Sequence, residues 1–122
     1  MVKKILIVST DRTIRLMAGF TLQMEEYKIV EAHNKDDAIK KIEDGFRPDL
    51  ILNGLDLNGP DGLAFIKEVR DRPEFRYMPI LTLANDSALK NQIEWQEVGV
   101  TGWVPQPFTG KQLLEMVNLV LF

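Results

Sequence analysis

The side chains best able to do chemistry fall in four short polar segments: Ser9-Thr10-Asp11, Asn53-Gly54-Leu55-Asp56, Ala84-Asn85-Asp86 and Pro105-Gln106-Pro107. Ser9 and Thr10 carry hydroxyls, which become nucleophiles only beside a base, and the sequence offers no evident base near them. Asp11 and Asp56 could lend carboxylate oxygens to a divalent cation, although such hard cations usually need several convergent oxygens. The competing reading of Asp11, and of Asp61, is that each caps a helix. The lone imidazole, His33, excludes a multi-histidine metal site, and beside Asn34 it reads as a solvent-facing loop residue. The absence of Cys removes thiolate zinc, iron–sulfur ligation, dithiol redox chemistry and a Cys nucleophile in one step.

The flanking elements must position these segments. Short β-branched runs alternate with stretches of helical period, the pattern of a parallel sheet with helices on both faces. Lys4 to Val8 is a continuous apolar run, as a strand buried on both faces should be. Lys28 to Ala32 is weaker and suits a sheet edge. Leu50 to Leu52 forms a second buried strand, Ile80 to Leu83 follows Pro79, and Gly102 to Val104 stops at Pro105. Asp11 or Thr10 caps a predicted helix over Arg12 to Glu25, with Ile14, Met17, Ala18, Thr21 and Leu22 inward. Asn34 caps Lys35 to Asp44, which buries Ala38, Ile39 and Ile42 and stops at Gly45. Asp61 caps Gly62 to Arg70, with Leu63, Phe65 or Ile66, and Val69 inward. A fourth helix starts at Asp86 or Ser87 and runs through Ile93 to Val98 before Gly99. Thr109 with Gln112 forms a capping-box pattern that opens the last. The result is a doubly wound (βα)5 arrangement. In such sheets function gathers beyond the carboxyl ends of the strands, where strand order reverses, and all four polar segments lie there.

Length and composition agree with this reading. A chain of 122 residues suits one domain, residues 1–122, and is long enough to bury a core without disulfides or metal. Fifteen basic against eighteen acidic residues give a net charge of −3, which offers no general attraction for nucleic acid or an anionic membrane. The apolar run after Lys4 is too short for a secretion signal, and no run approaches the roughly 18 residues of a membrane span. The expectation is a cytoplasmic protein.

The loops and their flanks resemble the receiver domain of bacterial response regulators, the chemotaxis type in particular. The likeness rests on Lys4-Ile5-Leu6-Ile7-Val8 leading to Arg12-Thr13-Ile14-Arg15, on Pro48-Asp49-Leu50-Ile51-Leu52, on Asp61-Gly62-Leu63, on Pro79-Ile80-Leu81, on Gly102-Trp103-Val104 and on Pro107-Phe108. It runs from Val2 to the end of the chain without a large insertion. The resemblance implies a flavodoxin-like three-layer sandwich with a parallel sheet in the order 2-1-3-4-5. In that family an acidic pair after the first strand binds Mg²⁺, and an Asp ending the third strand accepts the phosphoryl group. A Ser or Thr ending the fourth strand and a Lys before the Pro ending the fifth hold the phosphoryl oxygens. Carried over residue by residue, the acidic pair falls on Ser9 and Thr10. The acceptor falls on Gly54, whether counted six forward from Pro48 or seven back from Asp61. The hydroxyl falls on Ala84 and the lysine on Gln106. Asp56 matches the position that offers Mg²⁺ only a backbone carbonyl. The resemblance therefore implies a degenerate receiver in two-component-type signalling, not an enzyme, with no metal and no cofactor.

Such a module works by contact with a signalling partner or with itself, through the face of the fourth helix, fifth strand and last helix. Trp103 matches the family's fifth-strand aromatic, although packing explains an edge-strand Trp equally well. Gln106-Pro107 matches the family's cis peptide. The run Leu113 to Phe122 holds more apolar residues than one buried stripe needs, which singles out Leu119, Val120 and Phe122 as surface that meets a partner, or marks a domain cut from a longer protein. Lys35, Lys40 and Lys41, interspersed with acids, read as a solvated face, and Asn58-Gly59-Pro60-Asp61-Gly62 as a turn. The alternative is a small-ligand protein, flavin- or anion-binding, on the flavodoxin-like layout. Ser9-Thr10-Asp11-Arg12-Thr13 has the hydroxyls of a flavin phosphate loop but lacks its Gly.

Overall fold

The computed structural model describes residues 2–57, 59–84 and 96–122. Five strands, β1 (Lys4–Val8), β2 (Lys28–Ala32), β3 (Leu50–Asn53), β4 (Ile80–Ala84) and β5 (Gly102–Pro105), form one parallel sheet in the order β2-β1-β3-β4-β5. β1 and β3 are the apolar runs of the sequence, and Ile5 to Val8 and Leu50 to Leu52 are fully buried. Their side chains alternate between two cores. Leu6, Val8 and Ile51 face α2 (Lys35–Glu43) and α3 (Pro60–Arg70), where they meet Ala38, Ile42, Phe65, Ile66 and Val69. Ile5, Ile7, Leu50, Leu52, Leu81, Leu83 and Val104 face α1 (Arg12–Gln23) and the C-terminal helix (Gly110–Leu121), where they meet Ala18, Leu22, Leu113 and Val117. β2 lies at the edge, as its weak apolar pattern predicts.

The capping chemistry is largely where the sequence places it. Asp11 accepts from the N–H of Thr13 and Ile14, Asn34 accepts from Asp37 N–H at 2.7 Å, and Thr109 and Gln112 satisfy each other reciprocally. Two expectations need correction. Asp61 is not a cap: α3 starts earlier, with Gly59 at the N-cap and Pro60 in the first turn, because the fixed φ of Pro suits that position. Asp61 sits in the first turn, where its charge complements the helix dipole. Met17 points outward, because α1 turns Ala18, Gly19 and Leu22 to the sheet instead. Gly19 faces β1 and β2, where a Cβ would meet Ile7 and Ile29 in ordinary contact at 3.9 Å.

The fourth predicted helix lies outside the described residues except at its end, where 96–98 are helical and Gly99 follows with φ of 104°. Lys35, expected on a solvated face, bridges α2 and α3 through Glu68 at 3.1 Å, which raises its affinity for its proton. His33 is exposed as expected, with Nδ1 3.1 Å from the Asp37 carboxylate. Lys41, hydrogen-bonded to Asp37 at 2.7 Å, holds that carboxyl below its usual range. Among the described residues no helix is long and apolar enough to cross a membrane.

One side chain ties the entrances of β4 and β5 together. The Arg70 guanidinium donates to Gly99 O at 2.6 and 3.0 Å, to Phe75 O at 2.7 Å and to Met78 O at 2.6 Å. Burial pulls its pKa below the ordinary arginine value. Arg70→Ala leaves three carbonyls without this donor and should cost about 2–4 kcal/mol in urea unfolding. Arg70→Lys should recover less than half, because an ammonium cannot reproduce the fork. A loss under about 1 kcal/mol for the alanine variant would show that water replaces the guanidinium freely.

Candidate functional site

The carboxyl ends of β1, β3, β4 and β5 meet in one crevice, and Ser9, Gly54, Ala84 and Gln106 are all at it. Register pairs Val8 with Asn53, Asn53 with Thr82 and Ala84 with Pro105, so the four strand ends lie side by side. Gln106 N–H donates to Ala84 O at 2.8 Å, and the Gln106–Pro107 bond is cis. Thr10, by contrast, is exposed beside the crevice.

The centre of the crevice is the contact between Ser9 and Gly54. Ser9 is buried, and its Oγ accepts from Asp11 N–H at 3.0 Å. Gly54 N–H donates to Val8 O at 2.6 Å, which draws the two loops together. A Cβ built at position 54 would stand 2.9 Å from Ser9 Cβ and 3.0 Å from Ser9 Oγ, closer than real Cβ atoms come. Glycine is therefore needed here for close approach, and Ser9 occupies the space a side chain at 54 would enter. Asn53 holds the bend from beneath: its Oδ1 accepts from Leu55 N–H at 3.1 Å across Gly54. Its amide group lies at the limit of hydrogen bonding from Leu55 O and Thr82 Oγ, at 3.4 and 3.5 Å. Asn53 is completely buried, which suits this local role.

The two acids singled out from the sequence are both engaged locally. Asp11 is engaged as the cap of α1, and the Asp56 carbonyl accepts from Gly59 N–H at 3.0 Å. Among the described residues no three carboxylate or imidazole groups are grouped as metal ligands. A cation faces the site instead. Arg15 Nη1 donates to Ser9 O at 2.6 Å, and its Nε lies 3.6 Å from Glu31. The one cue to this in the sequence is the helical period, which puts Arg15 on the side of α1 near the crevice.

The residues expected to form one interaction face separate into three places. Leu119 is exposed and lines a groove between β5 and the C-terminal helix with Val104, Pro105, Met116 and Glu115. Trp103 is half-buried and, by strand alternation, stands on the opposite sheet face from Val104, across β5 from that groove. Phe122 is 84% exposed but lines a different groove with Val2, Glu25, Glu26 and Tyr27. There the Tyr27 hydroxyl donates to Asn118 Oδ1, and burial followed by the charge of Glu25 raises its pKa. Val120 is half-buried against the core beneath. Three residues apart, Leu119 and Phe122 would share a face within a helix, but the helix ends at Leu121 and Phe122 is the residue past its end.

The arrangement of strands and helices has close counterparts among solved structures. The chemotaxis response regulator CheY4 of Vibrio cholerae superposes with a TM-score of 0.90 at 30% identity, over 99% of this chain and 100% of that one. A response regulator structure from Chloroflexus aurantiacus gives 0.88 at 27% identity, over 99% and 98%. Among curated proteins, the phosphate regulon transcriptional regulatory protein PhoB of Escherichia coli (strain K12) is 29% identical over 121 residues, which cover 99% of this chain and 52% of PhoB. The transcriptional regulatory protein ResD of Bacillus subtilis (strain 168) is 31% identical over 119 residues, covering 97% and 48%. The chain thus spans about half the length of these curated relatives. Since residues 5–118 match the response regulator receiver domain family over nearly the whole doubly wound sheet, the chain belongs to that family.

Proposed function

We propose that this chain, read as one receiver module over residues 1–122, signals by protein–protein contact without accepting a phosphoryl group. The observation that carries the reading is the closed Ser9–Gly54 contact, where the family's nucleophile is expected. Glycine offers no oxygen for an acyl phosphate, and Ser9 fills the space above it. Asp11 is committed to capping, and the Arg15 guanidinium against Ser9 O opposes a divalent cation at the loop where carboxylates would hold one. The family's Mg²⁺ does not fit these residues, and no step is routed through it. Ala84 and Gln106 complete the crevice without a hydroxyl or an ammonium to grip a phosphoryl oxygen. The module is not an enzyme on this reading. It acts in the cytoplasm on a protein partner, which docks in the groove of Val104, Pro105, Met116 and Leu119 beside β5. No nucleic acid or membrane is involved.

Incubation with a small phosphodonor and Mg²⁺ should leave the intact mass unchanged. An acid-stable but base-labile gain of one phosphoryl group, as an acyl phosphate shows, mapped to Asp11 or Asp56 would overturn the proposal.

Millimolar Mg²⁺ should leave the thermal unfolding midpoint unchanged within error, because a ligand stabilises only a fold that binds it. A clear, saturable rise would mean that a cation site exists.

The close approach itself is testable by a double-mutant cycle. Gly54→Ala should destabilise the fold by about 1–3 kcal/mol through overpacking. Removing the opposing side chain with Ser9→Gly should make the pair less costly than the sum of the two changes. Simple additivity would show that Ser9 does not close the site.

A further inference from the structure

Four of the large apolar side chains exposed on this fold stand on one helix: Leu16, Met17, Phe20 and Met24, with Phe20 70% exposed. Their spacing gathers them into one stripe along the outer face of α1, together with Thr13 and Gln23. No charge interrupts the middle of that face. The outer faces of α2 and α3 carry Asp36, Lys40 and Glu43, and Lys67 and Glu68, as water-facing helices should.

Apart from Asp11, which caps α1, the charges at the two ends of the stripe are the reverse of what a lone helix favours. Arg12 opens α1 at its positive end, and Glu25 and Glu26 follow Met24 at its negative end. Arg12, Glu25 and Glu26 are exposed and form no ion pair among the described residues. A placement unfavourable to the monomer becomes favourable when a second helix lies antiparallel, because each basic end then meets an acidic one.

We propose that α1 is a self-association surface, on which two copies pack antiparallel about a two-fold axis crossing the helix between Ala18 and Gly19. That axis sets Met17 of one copy against Phe20 of the other and Thr13 against Met24. It also brings Arg12 of each copy to Glu25 of the other, with Glu26 adjacent, at the groove that holds Tyr27 and Phe122. Charge complementarity of this kind is guaranteed only for a second copy of this chain, since an isologous contact presents the same patch twice. The surface shares no residue with the groove beside β5, so it leaves that groove free for another protein.

The test is sedimentation velocity of the full chain from micromolar to near-millimolar concentration, with circular dichroism as the control for folding. The wild-type chain should show a concentration-dependent dimer. Phe20→Glu should weaken it by about tenfold or more, since a carboxylate would then be buried at the centre of the contact. Leu119→Glu should leave it unchanged. Arg12→Glu alone, and Glu25→Arg with Glu26→Arg, should each weaken it by about fivefold, as surface charge pairs do. An equimolar mixture of these two charge variants should regain the dimer, because each then supplies the charge the other lacks. The proposal is overturned if the chain stays monomeric throughout, if the mixture fails to associate, or if Leu119→Glu abolishes a dimer that Phe20→Glu leaves intact. Neither result depends on whether the crevice accepts a phosphoryl group, which the mass measurement decides separately.

Discussion

The fold depends on the burial of β1 and β3 on both faces. A parallel strand that exposes neither face must be covered by helices above and below, and each connection must cross the sheet to return. Ile5 to Val8 and Leu50 to Leu52 meet that demand with continuous apolar runs, and the alternation of their side chains divides the interior into two cores. Every connection at the carboxyl ends then emerges on one side of the sheet. The crevice is thus a consequence of the core, and it forms whatever polar residues the loops carry.

On the proposed reading, that independence lets the scaffold survive a changed site. A cleft crowded with carboxylates stores repulsion that a bound cation relieves. Here the same position is closed by ordinary packing and hydrogen bonding: Ser9 covers Gly54, Asn53 spans the bend, and Asp11 turns to α1. Each polar group at the centre finds a neighbour within the chain, so on the proposed reading the crevice needs no ligand to be stable. Arg15 strengthens this arrangement by binding the Ser9 carbonyl from the side of the helix that also faces Glu31.

What the sequence made legible follows from the range of the signals. Strand runs, the 3–4 spacing of α2 and α3, and caps at Asp11, Asn34 and Thr109 are local, and they gave the elements and their order. The burial of Met17 failed as an expectation because the register of an amphipathic helix with several apolar residues depends on how closely it can approach the sheet. Here Ala18, Gly19 and Leu22 take the inward face. The start of α3 was missed because Pro60 at the first turn competes with Asp61 as a boundary signal. Of the crevice, the positions were readable from spacing, yet the Ser9–Gly54 contact and the roles of Arg15 and Arg70 were not. Those depend on distances between segments far apart in the chain. The dispersal of Trp103, Leu119 and Phe122 is the same lesson: an apolar excess in a helix says how much surface needs covering, but only the neighbouring elements say where it faces.

On the proposed reading the crevice receives no covalent input, and the module still has to change its partner's state. A ligand can shift a conformational equilibrium only by its differential affinity for the states, so the energy must come from contacts made at the surface. Two surfaces are available on this chain, the groove beside β5 and the outer face of α1, and they lie on different elements. If copies associate through α1, the concentration of the chain itself sets how many grooves are presented in pairs. A partner with two docking segments would then bind the paired form more tightly than the single one through effective concentration, without any new contact. On the proposed reading, such a device makes abundance, in place of phosphorylation, the quantity that the module reports.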